Sequence, residues 1–208
     1  MAANFSRQVA VANLQASLHT LGYPCGEVDG IAGPKLVAAM HGYMSSINKK
    51  PTATKNNSFE WPNDNEQELI EFFGPRGSAA HMTILKLPEP MHLYEPSGPI
   101  VKELWVNKRI ATPLYNALSE IAGLGADMIH DFELDVTAGC FNNRKKTGGK
   151  GWSLHAYGAA FDISPRQNPY GSKGTLPKEV VEAFRRQGAQ WGGIWNTPDP
   201  HHFQFCNS

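Results

Sequence analysis

The stretch Ser153-Leu-His-Ala-Tyr-Gly-Ala-Ala-Phe-Asp162 sets an imidazole and a carboxylate seven residues apart, and Asp199-Pro-His-His-Phe-Gln204 answers it near the C-terminus. On one regular strand an odd spacing sends His155 and Asp162 to opposite faces. A turn must therefore lie between them, and Tyr157-Gly158 can supply it. A loop-borne histidine and an aspartate on the strand Phe161–Ile163 can then converge. If Pro200–Phe205 is extended, His202 and Gln204 share one face while His201 and Phe203 share the other. Phe203 belongs in a core, so His202 and Gln204 face the cleft, unless the assignment flips as a unit and His201 takes that place. Three His and Asp side chains with one position left open form the donor set of a catalytic zinc ion, Zn2+. Asp199, three residues before His202, is the best-placed carboxylate to act as a base on water. Arg144 could stabilise an oxyanion or hold a substrate carboxylate in its planar fork. Lying near Lys145, Lys146 and Lys150, it could equally be a solvated loop charge. Ser153 reads as a hydrogen-bonding or turn residue, since no nucleophile-elbow pattern surrounds it.

Working outward, Thr112-Pro113 and the spacing of Leu114, Leu118, Ile121 and Ala122 predict a helix over 111–124. Residues 133–138 alternate as a strand with Leu134 and Val136 on one face, and 139–151 form a Gly/Asn/Lys-rich loop. A Pro/Gly-rich loop over 164–177 precedes a helix from Pro177 to Gln187, with Val180, Val181 and Phe184 on one face. Residues 190–195 and 200–205 read as a last pair of extended segments. Upstream, Glu66 to Phe73 reads as a short helix stopped by Gly74-Pro75. Met82 to Leu87 reads as a strand ended by Pro88 and Pro90, followed by the turn formers Pro96, Gly98 and Pro99. This order predicts an α+β domain with an antiparallel sheet flanked by helices.

The first 48 residues read as a small helical domain. Val11, Leu14, Leu18 and Leu21 keep helical spacing before Gly22. A turn-rich connection follows, tightest at Asp29-Gly30, and Pro34 starts a second helix with Leu36, Val37, Met40 and Tyr43 as its apolar face. Residues 49–69 are expected to be a linker, polar and broken by Pro, Asn and Ser, with the larger domain at 70–208.

Among the 208 residues, 19 basic side chains balance 19 acidic ones, which gives no support for nucleic acid as a partner. No run of 18 apolar residues exists, so no membrane span is expected. Met1 to Arg7 lacks the basic-then-apolar pattern of a cleavable signal peptide. Three cysteines, Cys25, Cys140 and Cys206, fit no metal-knuckle spacing and read as buried thiols, with a Cys140–Cys206 bridge left open.

The N-terminal unit resembles the helical peptidoglycan-binding domain of cell-wall hydrolases. The residues that carry this are Val11, Leu14-Gln15, Leu18, Leu21-Gly22-Tyr23, Gly26, Val28-Asp29-Gly30 and Gly33-Pro34-Lys35. The resemblance places Asp29 and Gly30 in a wall-binding module. From about residue 70 onward the chain resembles the zinc D-Ala-D-Ala carboxypeptidase and L-alanyl-D-glutamate endopeptidase superfamily, peptidase family M15. Its pattern Ser-x-His-x-x-Gly-x-Ala-x-Asp is matched by Ser153, His155, Gly158, Ala160 and Asp162, followed by Trp191-Gly-Gly, Trp195 and Asp199-Pro-His-His202. The resemblance implies His155, Asp162 and His202 as zinc ligands, Asp199 as general base and Arg144 as a catalytic arginine. Ser153, Tyr157, Trp195 and Gln204 are then expected at the substrate. An aspartate base three residues before the last ligand is similar to the phage endolysin branch, where this chain has Gln204 in place of a common glutamate. The expected protein is a monomeric peptidoglycan hydrolase, held in the host cytoplasm before lysis. The alternatives are a zinc D-Ala-D-Ala carboxypeptidase or a non-catalytic wall-binding protein.

Overall fold

The computed structural model describes residues 8, 11–12, 14–19, 21–48, 60–148 and 151–207. Residues 1–7, Lys150 and most of the expected linker, 49–59, lie outside the described residues. The chain divides into two compact units, Met1–Asn57 and Ser58–Ser208.

In the first unit, residues 14–19 are helical and helix α1 spans Pro34–Asn48. Its small core is Leu18, Cys25, Leu36 and Ala39, with Val11, Tyr23 and Tyr43 packed against it. The expected apolar faces need correction: Leu14, Leu21, Val37 and Met40 are all exposed. The buried stripe on α1 runs through Leu36, Ala39 and Tyr43, and the earlier helical stretch buries Gln15 beside Leu18. Gln15 tolerates burial because its amide is fully used. Nε2 donates to Asp29 Oδ1 at 2.9 Å and Oε1 accepts from Gly30 N at 2.9 Å. The Asp29 carboxylate also accepts from Ile31 N, and Gly30 takes the left-handed φ of 73°. Asp29 and Gly30 are thus clamped as a turn.

The second unit is α+β. Its elements are α2 (Glu66–Phe73), β1 (Met82–Leu93), β2 (Ile100–Asn107), α3 (Ala111–Ala122), α4 (Ala126–Asp131), β3 (Val136–Gly139), β4 (Ala160–Ile163), α5 (Lys178–Arg186), β5 (Gln190–Trp191) and β6 (His202–Gln204). Single 3-10 turns lie at Leu154–Tyr157 and Gly192–Ile194. The six strands form one sheet in the order β2-β1-β3-β4-β6-β5. It is the expected antiparallel sheet, with one parallel pair, β1–β3.

The expected linker also ends earlier than 69. Trp61 is buried in the core of this unit, and Asn65 caps α2 by accepting from Glu68 N. Strand β1 does not stop at Pro88 and Pro90. The register with β2 shifts between Lys86 and Met91, and β3 is met only at His92 and Leu93. The prolines therefore sit where the ladder needs no N–H from them. Strand β2 and helix α4 carried too little periodicity to be read beforehand.

Helix α3 buries Leu114, Ala117, Leu118 and Ile121, the i, i+3, i+4, i+7 stripe of an amphipathic helix, and packs on β1 and α5. Helix α5 lays Phe184 flat on Phe203 of β6, with ring centroids 3.9 Å apart, and close to Phe161 of β4. Side chains alternate along a strand, so Asp162 and His202 are turned the other way. No helix among the described residues is long and apolar enough to cross a membrane.

Gly158 closes the turn between His155 and β4 at a left-handed φ of 64°, and a Cβ there would lie 2.5 Å from Met82 Cε and 2.9 Å from Asn107 N. Gly158→Ala is expected to destabilise the protein by roughly 2–4 kcal/mol, from the left-handed backbone plus overpacking. A urea denaturation midpoint will measure it.

Candidate metal centre

Three local devices bring the site together. Ser153 caps the 3-10 turn, its Oγ accepting from His155 N at 3.3 Å. This aims His155 across the turn. Gly158 reverses the chain into β4, which carries Asp162. Antiparallel pairing then sets Asp162 directly opposite His202 on β6. Thr137 Oγ1 donates to the Asp162 carbonyl at 2.6 Å and fixes the strand from its other side.

The outcome is a buried cluster of His155, Asp162 and His202 whose donor atoms lie within 4.8 Å of one another. His155 Nε2 is 3.2 Å from Asp162 Oδ1 and 3.2 Å from His202 Nδ1, and His202 Nδ1 is 2.9 Å from Asp162 Oδ1. The outer ring nitrogens are engaged elsewhere. His155 Nδ1 donates to the Cys140 carbonyl at 2.6 Å, and His202 Nε2 donates to Gln204 Oε1 at 3.3 Å. Each ring then turns its lone pair inward, which is the arrangement of metal-ligating histidines. Two lone pairs and a carboxylate meeting at these distances call for a cation between them, and His2Asp donors suit zinc.

Without a metal, His155 and Asp162 shift one another. Burial opposes the charged form of Asp162, but the charges and hydrogen bonds of His155 and His202 prevail and hold it well below the usual carboxylate range. For His155, burial favours the neutral ring and Asp162 overrides it, raising the pKa. The charge of Arg144 acts on His155 in the opposite sense.

Through His202 the cluster reaches a cavity of about 280 Å3 that Arg144, Lys146, Ser153, Tyr170, Trp195 and Asp199 help to line. Asp199 hangs from a tight loop in which its N–H and that of Trp195 both donate to the Gly192 carbonyl. A Cβ on Gly192 would lie 2.6 Å from Asp199 O, so that loop requires glycine. Asp199 Oδ1 is buried and has no hydrogen-bond partner among the described residues. His201 Nδ1 lies 3.1 Å away, but its proton goes to the Asn168 carbonyl at 2.7 Å.

The other expected residues fall as follows. Arg144 lines the cavity, and among the described residues its guanidinium makes long contacts of 3.4 and 3.5 Å to Lys145 O and Thr147 Oγ1. Trp195 stands beside His202, ring centroids 5.5 Å apart. Ser153 is buried and serves as a cap. Tyr157 is corrected: it is 1% exposed, outside the lining of this cavity, with its hydroxyl toward Arg76 Nη1 at 3.5 Å. Its place in the turn turns the ring into the core. Gln204 borders the cavity, but both ends of its amide are engaged, on His202 and on Cys206 Sγ. His201 is not part of the three-residue cluster, its Nε2 lying 3.8 Å from Asp162 Oδ2. All three cysteines are free and buried. Sequence reasoning missed Tyr170, Thr197 and the Asp64–Lys146 ion pair at 2.7 Å, which also line the cavity. They come from separate loops with no shared motif.

An α+β domain with a buried His-Asp-His cluster beside an open polar cavity is a frame suited to metal-assisted hydrolysis. Residues 147–205, which include His155, Asp162, Asp199 and His202, match the peptidase M15 family model described as D-alanyl-D-alanine carboxypeptidase. That match supports a peptidase. No curated protein and no solved structure gives a significant match.

The two adjacent histidines make a direct test. His202→Ala is expected to abolish stoichiometric zinc binding, whereas His201→Ala should retain it and lose only about 1 kcal/mol of stability with its bond to Asn168. Metal analysis after dialysis, paired with thermal melting, distinguishes the two.

Proposed function

We propose that the chain is a zinc peptidase that cuts the stem peptide of bacterial peptidoglycan, of the L-alanyl-D-glutamate endopeptidase type, and that it serves as a phage endolysin. The observation that carries the catalytic reading is the His155–Asp162–His202 cluster, whose His202 lines the same cavity as Asp199. Zinc bound by His155, Asp162 and His202 would supply carbonyl polarisation and activation of water.

The chain's own residues do the rest. Asp199 accepts the proton from the attacking water and returns it to the leaving amine. Among the described residues Arg144 makes long contacts, so its guanidinium is free to meet a developing oxyanion or a substrate carboxylate. Trp195 offers an aromatic wall beside His202 for the apolar part of the peptide. The first unit would hold the enzyme on an insoluble wall, raising its effective concentration there. Clamping of Asp29 and Gly30 by Gln15 supports a structural part for them in that unit's turn.

A second reading is a D-alanyl-D-alanine carboxypeptidase, favoured by the description of the matched family. Digestion of purified walls followed by mass spectrometry separates the two. Peptides released from L-alanine support the endopeptidase, and loss of a terminal alanine supports the carboxypeptidase. Asp199→Asn is expected to lower kcat by roughly 100- to 10,000-fold while zinc stays bound. Wall digestion by that variant at the rate of the unaltered protein would overturn the role given to Asp199.

A further inference from the structure

Gln204 borders the cavity beside His202, and its contacts with His202 and Cys206 form a chain. His202 Nε2 donates to Gln204 Oε1 at 3.3 Å, and Gln204 Nε2 donates to Cys206 Sγ at 3.1 Å. All three residues are buried, at 5%, 4% and 0% exposure, and all three lie on or next to β6. An amide can be turned over, exchanging its oxygen and nitrogen with little change of shape. Turned over, it would present a donor to His202 Nε2, leave that nitrogen as the acceptor and place the ring's proton on Nδ1. Nδ1 is the atom 2.9 Å from Asp162 and 3.2 Å from His155 Nε2, so a proton there would block the site. An amide oxygen set toward Nε2 therefore favours the tautomer in which His202 can ligate.

Cys206 meets the far end of the amide: its sulfur accepts from the amide nitrogen, with the oxygen toward the ring. A glutamate at 204 would offer the ring an acceptor in either orientation, but it would bring a further charge close to Asp162 and donate nothing to the thiol. What position 204 must supply is an acceptor for the ring, and the neutral amide does so without adding a charge beside Asp162.

We infer that Gln204 is a positioning residue which, seated between His202 and the Cys206 thiol, holds His202 in the tautomer whose Nδ1 faces the metal. This rests on the zinc reading above and deepens it: Gln204 acts through His202 and does not bind substrate.

The experiment measures zinc affinity by chelator competition, together with thermal melting of the metal-free protein, for the full chain and for Gln204→Leu, Gln204→Glu and Cys206→Val. Loss of an orienting partner of a metal-ligating histidine weakens the metal roughly 10- to 100-fold. Gln204→Leu is expected to show that loss with little change in metal-free melting. Gln204→Glu, which keeps an acceptor for His202, should recover most of the affinity. Cys206→Val should weaken zinc in the same direction but less. In 15N spectra of the zinc-loaded protein, the His202 Nε2 proton should be slow to exchange and should become fast in Gln204→Leu. Unchanged zinc affinity in Gln204→Leu overturns the inference while leaving the peptidase reading intact. Failure of the unaltered chain to bind zinc overturns both. A Gln204→Leu variant that binds zinc normally but raises KM alone would return Gln204 to substrate binding.

Discussion

The carboxylate of Asp162, buried between two imidazoles, is the constraint that the rest of the domain serves. Taking a carboxylate out of water costs several kcal/mol even after relaxation. That cost is offset only if partners of the right polarity stand at fixed positions. His155 and His202 are those partners, and the sheet fixes them: Asp162 pairs with His202 across β4–β6 and with Gly139 across β3–β4. A slip of one residue in either ladder would send the carboxylate into the aromatic layer against α5. Register in the middle of this sheet is thus held by electrostatics on one face and by packing on the other.

The aromatic layer supplies the second half of that grip. Phe161 and Phe203 are the alternating partners of Asp162 and His202, and both pack on Phe184. The same two short strands therefore present a dry core to α5 and a polar cluster to the cavity. Around His155 the support is built from turns. The Ser153 cap sets its entry and Gly158 its exit. Asn107 ties the turn to the rest of the domain, its Nδ2 donating to Tyr157 O and Phe73 O.

Where chemistry and periodicity coincide in adjacent residues, the sequence was legible. Alternation about Phe203 placed His202 on the cleft side, and the odd His155–Asp162 spacing required the turn that Tyr157-Gly158 forms. The two longest helices of the second unit were visible in their apolar stripes. What escaped depended on non-local partners. Pro88 and Pro90 look like strand breakers until the β1–β2 register shift removes the demand on their N–H groups. Hydrophobicity alone mis-phased the first unit, because a satisfied Gln15 and a small Ala39 take buried positions while Val37 and Met40 do not. Tyr157 looked like a cleft residue because it sits within the motif. Its ring points into the core because the same turn that aims His155 outward turns it inward.

The two aspartates of the site are treated in opposite ways, and this bears on whether the cluster is catalytic or only structural. Asp162 has both oxygens engaged, Oδ1 near both histidines and Oδ2 3.2 Å from His155 Nε2. A structural metal site would need nothing further. Asp199 is instead suspended on a glycine-dependent loop, with one buried oxygen left without a donor and open cavity beside it. Leaving a buried acceptor unpaired costs about 1–3 kcal/mol. A wall-binding protein would gain nothing from that expense. A hydrolase does, because a base that already held a strong hydrogen bond within the protein would have to break it before taking a proton from water.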